Sequence, residues 1–198
     1  MAMIFQSLGR TLAAGVVLLI ALVFLAGVVS GERLAMNHAW GIFFMRWVHI
    51  MSGVMWVGLL WYFNFIQIPT VPKIEPAEHR AAITKFIAPN VLFWFRYGAL
   101  ATVATGLLLA WMNHYLVEAL TLQKGSLAIG LGMWMALIMA FNVWFIIWPN
   151  QKKALGLVDA SADAKAKAAR LAMLTSRFNT MLSIPMLYFM AAQSHGGL

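Results

Sequence analysis

The stretch RWVHIMSGVMWVG, residues 46–58, sets an arginine and a histidine inside one of the most apolar parts of the chain. At helical spacing Arg46, His49, Gly53, Trp56 and Leu60 fall on one face. That order offers ligand chemistry. An imidazole can hold a haem iron, a glycine one turn away leaves room for a flat group near the backbone, and an arginine one turn the other way can meet a propionate. The same face also describes a helix–helix seam, where small residues let backbones approach and polar side chains bond across. Ionisable groups at membrane depth are functional by default. Both readings turn Arg46 and His49 toward the interior of a bundle.

The elements that must position this face follow from composition. The chain has 198 residues, 63% hydrophobic and 10% charged, with a mean hydropathy of +0.81. A soluble domain would carry about 25% charged residues. Five apolar stretches approach or exceed the roughly 20 residues that cross a bilayer: 11–30, 41–66, 91–114, 127–148 and 178–194. In lipid every backbone polar group must bond internally, so these predict helices. The fold class expected is all-α, a polytopic bundle of five transmembrane helices forming a single integral membrane domain over 1–198. The first stretch, with Arg10 before it, also has the layout of a signal peptide; its length favours a retained helix. There is no cysteine, which excludes disulfides, thiolate metal sites and c-type haem attachment within the chain.

The net charge of +8 is a topology signal. The amino-terminal segment, the 67–90 loop and the 149–177 segment hold Arg10, Lys73, Arg80, Lys85, Lys152, Lys153, Lys165, Lys167, Arg170 and Arg177, while the other side has Arg33 and Lys124. The positive-inside rule then predicts a cytoplasmic amino terminus, a periplasmic carboxy terminus and a multi-pass protein of the bacterial inner membrane. The basic balance is spent on orientation, so nucleic acid is dropped as a partner.

With this orientation His38, His49, His114 and His195 lie at or near the outer leaflet, and only His79 is cytoplasmic. His114, His195 and Lys124 are candidates for a second ligand opposite His49. On the third span Gly98, Thr102, Thr105 and Gly106 lie between Arg96 and His114, whose separation is about 27 Å by helical rise. Arg96 is expected to snorkel or to pair with Glu75 or Glu78. Two connections carry structure of their own. Residues 74–90 predict a short interfacial helix with Pro76 at its first position, and 159–177 predict a helix capped by Asp159 that runs into the fifth span. Trp148 and Pro149, followed by two lysines, look like a helix stop. Asn142, Asn179 and Ser183 are inter-helix hydrogen-bonding candidates, and Pro185 predicts a kink.

Three ordered motifs, MRWVHIMSGVMWVGLLWYFNF, NVWFIIWPNQKKALG and RFNTMLSIPMLYFMAAQSH, resemble the membrane domain of the cytochrome-c-linked bacterial urate oxidases. The matching positions are His49, Trp56, Asn142, Trp148, Asn179, Pro185 and His195. The resemblance implies a redox membrane domain that oxidises urate to 5-hydroxyisourate and passes electrons to a c-type cytochrome. That cytochrome is expected on a separate chain, because no cysteine is available here to attach its haem. Combined with the residues themselves, the expectation is b-type haem near the outer leaflet. His49 would be a metal ligand, His114 or His195 a second one, and Arg46, Gly53 and Trp56 would surround the cofactor. The alternative is a non-catalytic accessory subunit of a respiratory or other membrane complex. A transporter is weaker, since the spans contain no Asp or Glu and no pair of interrupted half-helices.

Overall fold

The computed structural model describes residues 2–31 and 34–197. Arg33, counted above on the less basic side, lies outside them. Every regular element among the described residues is helical. The chain divides into two compact units, Met1–Gly41 and Ile42–Leu198.

The first unit is dominated by α1 (Leu8–Ser30), which follows a single helical turn at Ala2–Phe5. Its mean hydropathy is 3.0 and none of its residues is buried, the profile of a helix whose solvent is hydrocarbon. Gly31 ends it with a left-handed φ of 71°, a conformation open to glycine at no steric cost. The second unit holds nearly all of α2 (His38–Trp61), then α3 (Ala88–Met112), α4 (Leu127–Phe141) and α5 (Ala162–His195). A short helix, Leu116–Leu120, bridges α3 and α4.

Three of these helices are extended by one device. The π-helical segments Tyr62–Gln67, Ile83–Ile87 and Asn142–Ile147 each end two residues before a proline, at Pro69, Pro89 and Pro149. Proline has no N–H to give, and its ring collides with the carbonyl four residues back. Those carbonyls belong to Phe65, Lys85 and Phe145, each inside its π segment. The wider i→i+5 turn moves the carbonyl aside and lets the helix run on. Two sequence expectations are corrected for this reason. Residues 74–90 do not form a separate interfacial helix with Pro76 at its first position; Pro76 precedes a run that is continuous from Ala77 to Met112. Trp148–Pro149 is likewise no stop, and the helical run extends from Lys124 to Ala154.

Among the described residues four helical runs are long and apolar enough to cross a membrane: Leu8–Ser30, His38–Lys73, Ala77–Met112 and Lys124–Ala154. α5, with 34 residues, is the longest single helix, but its first half is rich in lysine and arginine and it is not among the four. It is uninterrupted through Pro185, and its N-cap is Ser161, which accepts from the Ala164 N–H, in place of the expected Asp159.

The second unit packs α5 along α4 and along the segment after it. Trp56, Leu60, Phe95, Met139 and Val143 form the centre of one core cluster. A smaller cluster of Ala110, Ala119, Ile129 and Met133 lies under the short helix, and Met190 packs against both.

Candidate functional site

α2 and α3 run antiparallel, and their seam alternates glycine with bulk. A Cβ on Gly98 would stand 3.4 Å from the backbone nitrogen of Trp56, and one on Gly53 would stand 3.8 Å from Thr102 Cγ2. A Cβ on Gly106 would lie only 2.8 Å from Cε1 of His49. Gly98, Thr102 and Gly106 repeat at four-residue spacing, the small-residue stripe that lets membrane helices approach. The His49 ring therefore lies on bare backbone at Gly106. Trp56 and Leu60, further along the same face, are fully buried, and the indole N–H of Trp56 finds no partner among the described residues.

The hydrogen bonds of His49 fix its chemistry. Its Nδ1 is 2.9 Å from the Thr102 carbonyl and 3.2 Å from the Thr105 hydroxyl oxygen. A carbonyl only accepts, so Nδ1 carries the proton and the neutral ring keeps its lone pair on Nε2. This is the arrangement of metal-ligating histidines, in which one ring nitrogen is tied to an acceptor and the other is left to bind. His49 lines a cavity of about 30 Å³ where α2, α3, α4 and α5 meet, together with Thr102, Gly106, Met133, Ala136 and Met190.

The donor suits a haem iron; the space does not suit a porphyrin. A cavity of this size holds about one water or one ion, against the roughly 300–1,000 Å³ of pockets that take drug-sized ligands. No step is derived through haem for that reason.

The other residues expected around His49 are dispersed. Arg46 is exposed, not turned inward, and it lies near Tyr115. Burial pushes the Tyr115 phenol above its usual value, while the positive charge of Arg46 pulls it partly back. His114 is exposed in the turn after α3 with φ of 60°. Its N–H reaches the Trp111 carbonyl at 3.0 Å, and the Tyr115 N–H reaches that of Ala110 at 3.2 Å. That pair of bonds is a Schellman stop, with His114 at the left-handed position. Eight residues separate His114 from Gly106, on which His49 rests, so the two histidines lie about 12 Å apart along α3. Metal–imidazole bonds are about 2 Å long, so one ion cannot reach both. His114 instead lines a second cavity of about 200 Å³ with Trp111, Leu116, Val117 and Glu118. His195 is exposed and bonded to its own helix through the Ala191 carbonyl, and Lys124 is exposed at the turn before α4.

The structure thus gathers His49, Gly53 and Trp56 on one seam, and leaves Arg46, His114 and His195 apart from it. It adds Met133 and Met190, which sequence reading missed. A methionine in an apolar helix carries no mark that separates a liner of a cavity from ordinary core. Arg96 also differs from expectation. Glu75 pairs with Arg80 at 2.8 Å, and Arg96, about 24 Å further along the helical run, lies flat on Trp148 with its carbon 3.3 Å from the ring centre.

A second set of polar residues links the helices through three separate hydrogen-bonded groups, with the Asn64 amide oxygen buried and without a partner among the described residues. Asn142 donates to the Asn179 amide oxygen at 2.8 Å, and Asn179 donates to the Met139 carbonyl at 2.9 Å. Trp61 donates to Ser183 at 2.9 Å, and Asn64 donates to the Leu60 carbonyl and to Ser176. Asn64 and Asn142 both stand in π segments. The Asn64 amide donates back to the Leu60 carbonyl one turn earlier, and the Met139 carbonyl just before the other π segment accepts both the Asn179 amide and the Asn142 backbone N–H.

Compared with known proteins, residues 122–197 match the model of the urate oxidase N-terminal family. No curated protein and no solved structure matches the chain. The matched segment contains α4, α5 and the residues Asn142, Trp148, Asn179, Pro185 and His195. His49 and Trp56 lie outside it. Of the matched residues, Asn142, Trp148 and Asn179 make contacts between helices, and His195 bonds only within its own helix.

Proposed function

We propose that the chain acts as a membrane redox protein of the urate oxidase membrane-domain kind, with its electron carrier held on Nε2 of His49 and a separate c-type cytochrome as acceptor. The observation that carries this reading is the bonding of His49. A seam histidine kept only as glue needs no open ring nitrogen, whereas a ligand histidine ties one nitrogen to an acceptor and leaves the other unbonded, as His49 does while lining a cavity. The match over 122–197 supports the scaffold to which this site belongs. The bilayer setting is supported by four apolar helical runs. The five-span topology adds the second half of α5, with the His49 end of α2 toward the periplasm. In the bundle the protein supplies ligation, burial and orientation, and the bound group supplies the redox step.

A b-type haem on His49 requires α4 or α5 to move away from the cavity described above. A reduced-minus-oxidised visible spectrum of the purified protein, expressed with haem supplied, tests it directly. A haem signal in the wild type that is lost in His49→Ala supports haem as the carrier. Reduction of a soluble c-type cytochrome by the wild type with urate as the electron donor, and not by His49→Ala, supports the redox role whatever the carrier is. The redox role is overturned if neither signal is seen.

The accessory-subunit reading is favoured by one observation. Neither described cavity combines a cation with a space for an anionic substrate: one holds His49 among apolar residues, and the other includes Glu118. Co-purification with a larger complex, together with an inert cytochrome assay, would establish it.

A further inference from the structure

We propose that the cavity at His49 is a single-ion site for monovalent copper, with the imidazole Nε2 and the thioethers of Met133 and Met190 as its donors. The proposal rests on the reading of His49 as a ligand and names what it binds.

Three features of the cavity converge on this ion. The first is volume: about 30 Å³ admits one ion or one water and excludes a macrocycle. The second is the donor set. Met133 from α4 and Met190 from α5 line the same cavity as His49 from α2, so three donors arrive from three helices. Thioethers are soft ligands that select Cu(I), while carboxylate, carbonyl and water sets select Mg, Ca and Mn. Among the described residues no group of three or more His, Asp or Glu is placed to hold a metal, and no carboxylate lies in the apolar spans, so a hard divalent ion finds no partner here. The third is charge. An ionised group in hydrocarbon is expensive, and with neutral imidazole and neutral thioethers as donors a monovalent ion brings the least charge of the metals considered.

The surroundings hold these donors in place. The Thr102 carbonyl and Thr105 hydroxyl hold the imidazole from behind, and Gly106 leaves no side chain to push it off the helix. Met190 lies against Gly132, where a Cβ would approach its sulfur to 3.4 Å and its backbone nitrogen to 3.2 Å. A glycine is therefore what allows α5 to bring Met190 this close to α4. Met133 is nearly fully buried.

The test is an anaerobic titration of the full chain in mild detergent with Cu(I) buffered by a chromogenic chelator. The wild type is expected to take up one ion per chain. Met133→Leu/Met190→Leu keeps volume and apolarity, the class of swap that cores tolerate best. It should weaken binding by more than the roughly 10–100-fold that follows loss of an outer-shell partner. His49→Ala should abolish uptake, and His195→Ala should leave it unchanged. Wild-type affinity in the methionine double variant, or no stoichiometric uptake by the folded wild type, overturns the site; the cavity then holds a water hydrogen-bonded to His49. Haem spectra and cytochrome reduction on the same preparations separate the two readings. Haem or cytochrome activity without copper uptake overturns copper and keeps the redox role. Copper uptake with an inert cytochrome assay supports the copper site and overturns the redox role.

Discussion

Two polar regions cross the apolar core of the second unit, and they differ in what they leave unpaired. In the Asn142–Asn179 network each amide donates to a named acceptor, and the chain of bonds ends on the Met139 carbonyl, which also accepts the Asn142 backbone N–H. At His49 Nδ1 is bonded, Nε2 has no hydrogen bond among the described residues, and the residue lines a cavity. Both are polar residues at membrane depth, and from type and position alone they deserve the same suspicion. The difference is spare valence. A group whose hydrogen-bonding capacity is used up by its own chain serves as glue, and one that is held in orientation but left with an open lone pair is ready for something outside the chain.

The comparison is sharpest when each region is broken separately. Asn179→Leu should cause the largest loss of stability of the variants considered. It strands the Asn142 side-chain donor in a buried setting, at a cost of about 1–3 kcal/mol, while the Met139 carbonyl keeps the Asn142 backbone N–H. Unfolding of the detergent-solubilised protein should shift accordingly, while whatever His49 binds should still be bound. Membrane hydrogen bonds often measure lower, about 0.6 kcal/mol on average. A loss no larger than that would remove the network's claim to be structural.

How much of this was legible in the sequence depends on the range over which each feature is decided. Helix class and the amphipathic logic of α2 are local, and they were readable from the apolar runs and from the spacing of His49, Gly53, Trp56 and Leu60. Asn142, Asn179 and Ser183 were recognisable as inter-helix groups because uncharged polar residues in apolar spans have few other roles. The π extensions were missed, although their sign is present: Pro69, Pro89 and Pro149 sit in apolar, otherwise helical sequence. At Pro149 the rule that proline ends a helix predicts a stop, and widening of the preceding turn wins instead. The exposed position of Arg46 and the separation of His114 from His49 depend on the angle and depth at which α2 meets α3, and no single-helix spacing encodes those. Met133 and Met190 were invisible for the same reason. Their role exists only when α4 and α5 are brought to His49.

The His49 region should respond in the opposite way to the network. His49→Leu removes one donor to Thr102, a carbonyl that also accepts from Thr105 at 3.2 Å, so its stability effect should stay near the average of about 0.6 kcal/mol for a membrane hydrogen bond. Ligand uptake should disappear. If this variant unfolds as readily as Asn179→Leu, the two regions are the same kind of glue and the comparison fails. Gly106→Ala is the finer probe. Its new methyl meets Cε1 of a rigid ring at 2.8 Å, so the imidazole must shift by several tenths of an ångström while its backbone stays helical. The expected result is a folded protein with weakened ligand binding, read by the copper titration and the visible spectrum together. Unchanged binding in Gly106→Ala would mean that the ring is free to move and is not held in orientation.

The smallest effect is expected at His114, and it bears on why a histidine at a helix end is a poor guide to ligation. His114 occupies the left-handed position of the stop after α3, with φ of 60° and its N–H bonded to the Trp111 carbonyl. A side chain in that conformation brings its Cβ close to the following carbonyl, at a cost of roughly 1–2 kcal/mol per residue that glycine escapes. His114→Gly should therefore keep the fold, and a small gain in thermal stability is the expected sign, offset in part by the greater freedom of glycine in the unfolded chain. His114 also has a further interaction of its own, so a net loss would assign that interaction more weight than the backbone strain it accompanies. Uptake at His49 should be unaffected either way, because the two residues lie about 12 Å apart along α3. A His114→Gly variant that loses His49-dependent binding would show that the two act as one site, which the helix packing described here does not permit.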